Sequence, residues 1–182
     1  MVADAAAWRA WLDANEATHD GVWLVLAKKG TTSPTSLRYD EALDEALCSG
    51  WIDGQKHSRD EATFLQRFTP RRGRSIWSVR NTRIVQELID AGRMRERGHA
   101  EIERAKADGR WDRAYEGAAT ATLPDDLAAA IAAVPEAQAA FGALNAASRY
   151  SLYFRITTAT SPAARQQRID ETVQRLANGE TL

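Results

Sequence analysis

Trp8, Trp11 and Leu12 recur at helical spacing, so residues 4–17 read as an amphipathic helix, broken by His19-Asp20-Gly21. The next apolar run, Val22-Trp23-Leu24-Val25-Leu26-Ala27, is short and rich in strand formers. A turn punctuated by Gly30 and Pro34 follows. Leu43, Ala46 and Leu47 mark the inner face of a second helix, with Asp40 as its expected cap and Gly50 as its left-handed end. Residues 51–57 and 63–68 predict two strands, closed as a hairpin by the polar stretch 58–61. Pro70 and Gly73 break both periodicities, so residues 69–77 read as a loop. Ser78 is the expected cap of a helix with Ile84, Val85, Leu88 and Ile89 inside, which Ala91-Gly92 ends. Residues 99–107 predict one more helix, stopped by Asp108-Gly109.

After Trp111 the pattern changes. Residues 117–147 are dominated by alanine, and Pro124 and Pro135 mark helix starts. Leu127, Ile131 and Val134 form one stripe, and Phe141 and Leu144 another. Tyr150, Leu152, Tyr153 and Ile156 share a third helix. Ser161-Pro162 opens a fourth, with Ile169, Val173 and Leu176 inside and Asn178-Gly179 at its end. The expected fold class is α+β, predominantly helical. Residues 1–118 form an α+β domain whose small antiparallel sheet uses the strands near 22, 52 and 65. Residues 119–182 form a small all-helical C-terminal module.

A chain of 182 residues, 44% hydrophobic and 27% charged, buries a core without staples. The single cysteine, Cys48, excludes an intrachain disulfide and sits in an apolar helical pattern, where a buried inert thiol is expected. The first residues lack the basic and apolar regions of a signal peptide. No run approaches the roughly 18 apolar residues of a membrane span. The expected location is the cytoplasm, with no membrane insertion.

Charge changes the picture more. Residues 1–61 carry 6 basic and 11 acidic side chains, residues 62–113 carry 13 and 7, and residues 114–182 carry 5 and 7. Between Ala62 and Gln86 there is no acid at all, yet Arg67, Arg71, Arg72, Arg74, Arg80 and Arg83 fall there. Clustered guanidinium groups repel, so they need carboxylates of the protein or an external anion. Arginine outnumbers lysine 20 to 4, a bias that a GC-rich genome also produces.

Read as a site, this segment is an anion pocket. Arg71, Arg72 and Arg74 supply charge, and the helix start at Ser78 supplies N–H donors with Asn81 in its first turn. Trp77 supplies a stacking face, and Ser75 lies between them. Trp51 is a second candidate surface platform. Read as structure, the same arginines pair with Asp53, Glu87 or the acids of residues 40–61. Asp53 is an aspartate in mid-strand, where it is disfavoured; it is expected to bond Arg67 across the hairpin, or to act as a general base. His19, His57 and His99 show no metal-ligand spacing, and no nucleophile elbow or phosphate-binding glycine loop occurs. No cofactor is expected.

At these residues the chain resembles the bacterial YdeI/OmpD-associated family, also called bacteriocin-protection proteins. The resemblance rests on Ala46-Leu47-Cys48-Ser49-Gly50-Trp51-Ile52-Asp53-Gly54, Arg67-Phe68-Thr69-Pro70-Arg71-Arg72 and Ser75-Ile76-Trp77-Ser78. Asn81, Gly92-Arg93-Met94 and Ala107-Asp108-Gly109-Arg110-Trp111 continue it, with the tail from Leu123. Ser49 stands where the resemblance puts an aromatic residue, which predicts a small gap beside Trp51. The resemblance implies a cytoplasmic bacterial stress-response protein tied to tolerance of bacteriocins or antimicrobial peptides. It brings no reaction and no catalytic residues.

The leading expectation is therefore a non-enzymatic protein with an anionic small molecule as partner. It would be bound by Arg67, Arg71, Arg72, Arg74, Ser75, Trp77, Ser78 and Asn81, with Asp53 orienting Arg67. Three alternatives stay open: an enzyme on a phosphorylated substrate with Asp53 as base, a nucleic-acid binder, and a protein-interaction module. A pI near 6.3 and two acidic flanks argue against the nucleic-acid reading. The oligomeric state is not written in the sequence.

Overall fold

A computed structural model describes residues 1–180 and divides the chain into two compact units. The first comprises Met1–Ser75 and Asn81–Trp111; the second comprises Ile76–Arg80 and the residues from Asp112 onward. The element order is α1 (Ala5–Asn15), β1 (Val22–Ala27), α2 (Tyr39–Cys48), β2 (Trp51–Ser58), β3 (Thr63–Pro70), α3 (Val79–Asp90), α4 (Glu96–Ala107), α5 (Asp125–Ala132), α6 (Pro135–Ala143), α7 (Ala146–Thr157) and α8 (Pro162–Ala177). The α+β, predominantly helical class follows directly, with a three-stranded antiparallel sheet in the order β1-β3-β2.

In the first unit β3 is the central strand. Phe64, Gln66 and Phe68 are buried on one face, while Leu65, Arg67 and Thr69 alternate with them on the other. The strand runs on through Pro70, beyond the expected loop start at Thr69. Proline at the last ladder position, opposite Trp51, ends the strand instead of interrupting it. The hairpin closes at Asp60, whose carboxylate accepts the backbone N–H of Ala62 (2.9 Å) and Thr63 (2.6 Å) and the Thr63 hydroxyl (2.8 Å). The Thr63 hydroxyl, foremost among these donors, holds the Asp60 carboxyl below its ordinary range.

Trp8 and Trp11 stack at 5.2 Å, and Trp51 meets both edge-on, so the N-terminal helix is pinned to the sheet by aromatic contacts. Trp51 is fully buried, which corrects its reading as a surface platform. Helix α2 starts two residues earlier than expected. Arg38 is the cap, its N–H donated to the Glu41 carboxylate at 3.0 Å, and Asp40 sits in the first turn. Helix α4 starts at Glu96, three residues before the expected His99, behind the cap Arg95. Gly50 takes φ +70° after α2, as expected of a left-handed helix end.

In the second unit Leu127, Ile131, Ala137, Ile156, Ile169 and Leu176 form the core. Ser161 caps α8 by accepting the Ala164 N–H at 3.1 Å, with Pro162 in the first turn. The Arg165 fork closes on the Asp126 carboxylate at 2.7 and 2.8 Å. Those hydrogen bonds hold the Asp126 carboxyl below its ordinary 3.8. A depressed carboxyl stabilises the fold above pH 3.8 and loses that contribution as pH falls through its folded value. In an acid titration followed by circular dichroism, Asp126→Asn is expected to flatten the pH dependence below about pH 4. At neutral pH the half-exposed pair should be worth at most about 1 kcal/mol. An unchanged acid transition would show that this fork carries none of it.

Candidate functional site

The bulge in β2, between Asp53 and Lys56, breaks the ladder with β3 and opens the sheet surface at Gly54. Beside it lies an open groove of about 500 Å³, lined by Gly54, Gln55, Arg67, Thr69, Pro70, Arg72 and Ser75. Alternation along β3 places Arg67 and Thr69 on the same face. Beyond Pro70, the Arg71 N–H continues the pairing to the Gly50 carbonyl at 2.9 Å. The chain then turns: the Arg72 N–H donates to the Ser75 hydroxyl (2.9 Å) and the Ser75 N–H to the Arg72 carbonyl (2.8 Å). The Arg110 guanidinium, held by Asp108 at 2.7 Å, donates to the Ser75 carbonyl at 2.8 Å and braces that turn. Arg67 and Arg72 thus reach one groove from a strand and from a rigidified turn.

Neither guanidinium has a carboxylate partner among the described residues, and neither has the exposed Arg74, which does not line the groove. The acids expected to neutralise the segment are engaged elsewhere. Glu45 of α2 binds Arg93 at 2.8 Å and Arg95 at 2.7 Å, while Asp44 binds Arg93 at 3.3 Å and Asp13 binds Arg95 at 2.9 Å. Burial pushes the Asp44 carboxyl above its ordinary range, against the opposing pull of Arg93. The ion pair between Arg83 and Glu87 spans 3.9 Å with both groups largely exposed, a weak contact. Ser49, where an aromatic was expected, is fully buried and accepts a hydrogen bond from Arg95 at 2.8 Å. The position thus serves as a polar seat for Arg95. Burial, foremost, raises the Cys48 thiol to about 11, which leaves it protonated and inert.

Four expectations change. Asp53 does not bond Arg67. Its register partner is Phe68, on the opposite face of β3 from Arg67, and its carboxylate accepts the Tyr39 hydroxyl at 2.8 Å. It lines a separate hollow of about 440 Å³ with Tyr39, Lys56, Phe64 and Gln66. Trp77, which belongs to the second unit, is only 2% exposed and offers no stacking face. The helix start at Ser78 does not present a free first N–H, because the Val79 N–H donates to the Tyr115 carbonyl at 2.9 Å. Arg71 and Asn81 are buried, 3% and 7% exposed, and do not line the groove. Of the expected residues the groove gathers Arg67, Arg72 and Ser75; Gln55 and Thr69 were missed. Strand alternation from Arg67 carries the signal for Thr69, whereas the bulge beside Gln55 leaves none.

Among the described residues no group of three or more His, Cys, Asp or Glu side chains is placed to hold a metal ion. No helix among them is long and apolar enough to cross a membrane. No curated protein and no solved structure matches the chain. Residues 1–101 match the family model described as Domain of unknown function (DUF8412). Residues 120–179 match the model described as Bacteriocin-protection, YdeI or OmpD-Associated, so the resemblance drawn from the sequence holds in the helical tail. The chain belongs to the family described as Domain of unknown function (DUF8412) and carries, over residues 120–179, a bacteriocin-protection, YdeI or OmpD-associated segment.

Proposed function

We propose that the protein acts in the cytoplasm as a non-enzymatic stress-protection protein, binding a phosphate-bearing or carboxylate ligand at Arg67 and Arg72. The observation that carries this reading is a contrast among the arginines. Arg93, Arg95, Arg110 and Arg165 are each closed onto a carboxylate at 2.9 Å or less, whereas the two groove arginines have none among the described residues. A planar guanidinium offers five donors, and two of them reaching one groove match an oxyanion better than any neutral ligand. The Thr69 and Ser75 hydroxyls and the Gln55 amide line the same groove and add neutral hydrogen-bonding partners. The segment over residues 120–179 links the chain to bacteriocin protection but names no ligand. Asp53 as a general base is less well supported, since it belongs to a different hollow and already holds the Tyr39 hydroxyl.

A thermal-shift screen at fixed ionic strength, covering inorganic phosphate, nucleotides, sugar phosphates, polyphosphate and dicarboxylates, tests the reading. A ligand at about 100 times its dissociation constant adds roughly 2.7 kcal/mol of stability. Arg72→Ala is expected to weaken the hit about tenfold or more, since it removes a charge-assisted hydrogen bond from an exposed side chain without disturbing the core. A flat screen, or a shift that Arg67→Ala and Arg72→Ala both leave intact, would sink it.

A further inference from the structure

The second unit contains a cavity of its own. It encloses about 330 Å³ between the segment that precedes α5 and helices α6 and α7. Ala121, Leu123 and Phe141 give it apolar walls, and Arg149, Tyr150 and Tyr153 bring the polar groups. No carboxylate among the described residues lines it. The volume lies at the small end of ordinary ligand sites.

The polar groups are set in a particular order. Both phenols converge on the backbone of one residue: the Tyr150 hydroxyl donates to the Glu116 carbonyl at 3.2 Å, and the Glu116 N–H donates to the Tyr153 hydroxyl at 2.7 Å. Tyr150 has therefore committed its proton. Tyr153 has not; its oxygen accepts, and its own proton meets no acceptor among the described residues, although the residue is only 8% exposed. A phenol proton in such a place is a donor awaiting an acceptor. Burial raises the neighbouring Tyr150 phenol above its ordinary 10, which keeps that hydroxyl protonated at neutral pH. Arg149 is exposed at the edge, its guanidinium 5.2 Å from the centre of the Phe141 ring. One of its nitrogens donates to the Gly142 carbonyl at 2.8 Å, which orients the fork and leaves its other donors uncommitted among the described residues.

We propose that this cavity binds a small monocarboxylate with a flat apolar body, its carboxylate taken by Arg149 and the Tyr153 hydroxyl and its body by Leu123, Phe141 and the tyrosine rings. A carboxylate fits the donor set because one guanidinium balances one negative charge and the hydroxyl fills a remaining lone pair. A phosphate dianion would be left half-compensated there. The apolar body fits because the walls carry no other polar side chain, and Tyr150 and Tyr153 lie at an interplanar angle of 25°. The site is independent of the Arg67 and Arg72 groove.

Calorimetric titration of the full chain with phenylacetate, and with the neutral isostere phenylacetamide, tests the assignment. Phenylacetate is expected to bind saturably and the amide at least about tenfold more weakly, the order for one charge-assisted hydrogen bond. Arg149→Gln should remove that discrimination, and its exposed position spares the fold. Ala121→Leu should abolish binding by filling the cavity while circular dichroism stays native. Arg72→Ala should change nothing, which separates this site from the anion groove. Equal binding of acid and amide, an unchanged affinity in Arg149→Gln, or no phenylacetate binding at millimolar concentration would each overturn it.

Discussion

Replacing Gly98 with alanine is expected to destabilise the first unit by about 3 kcal/mol, at the upper end of what overpacking costs. A Cβ on Gly98 would stand 2.3 Å from the Cys48 carbonyl oxygen and 3.0 Å from its carbon, atoms of the backbone at the C-terminal end of α2. Met94 Cε, at 2.6 Å, is flexible and could move; the carbonyl could not without shifting the helix. Alanine's better helix propensity returns about 1 kcal/mol and does not offset this. Gly50 lies in the same contact, 3.0 Å from the Arg97 carbonyl oxygen by the same measure, so the two helices meet on glycine from both sides. Gly142 in α6 is the control, since a Cβ there meets nothing within 4 Å. Gly142→Ala should be neutral or stabilise by up to about 1 kcal/mol. Urea unfolding of both variants gives the comparison. A Gly98→Ala protein as stable as the parent would mean that α2 and α4 can separate freely.

Glu45→Ala is expected to be equally severe, about 3 kcal/mol or more, for an electrostatic reason. Glu45 is 7% exposed and takes Arg93 on one oxygen and Arg95 on the other. Arg95 also donates to the Glu45 backbone carbonyl at 3.0 Å and to the buried Ser49 hydroxyl. Truncation at Ala would leave the Arg95 charge, its side chain 14% exposed, with only the half-exposed Asp13 as a carboxylate partner among the described residues. Removing one partner of a buried pair costs more than the pair contributed, because the survivor remains desolvated. Replacing both, as Glu45→Leu with Arg95→Met, should recover most of the loss. If the double variant is no better than Glu45→Ala, the pair is net stabilising and the desolvation argument fails here.

Much of the fold was legible because its signals are local. Ser161-Pro162 opens α8, Gly50 and Gly179 end helices in the left-handed conformation, and the alternation from Thr63 to Phe68 is a strand with one buried face. The central position of β3 and the segment 76–80 within the helical unit were not legible, because both depend on partners far along the chain. The site divided in the same way. Arg67, Arg72 and Ser75 were found from charge and spacing, and the groove brings them together. Trp77 was misread because tryptophan beside arginines looks alike whether it is a platform or a core residue; burial decides, and burial is tertiary. Opposite charge across a hairpin suggests Asp53 with Arg67, but the register sets Asp53 against Phe68, and its partner Tyr39 lies on another element. Glu45 of α2, one of the acids expected to serve the arginine segment, binds Arg93 and Arg95 instead, at separations of 48 and 50 residues that no local pattern encodes.

The discontinuous second unit bears on how the protein is made. Its segment Ile76–Arg80 carries the buried Trp77, and that segment is tied at both ends of a short backbone bridge to Tyr115. A ribosome delivers the tryptophan well before the partner that fixes it. Units that are continuous in sequence can close as they emerge. This one cannot form the Tyr115 bridge until the later chain arrives, so slow translation after residue 80 would lengthen the interval in which the Trp77 segment goes without it.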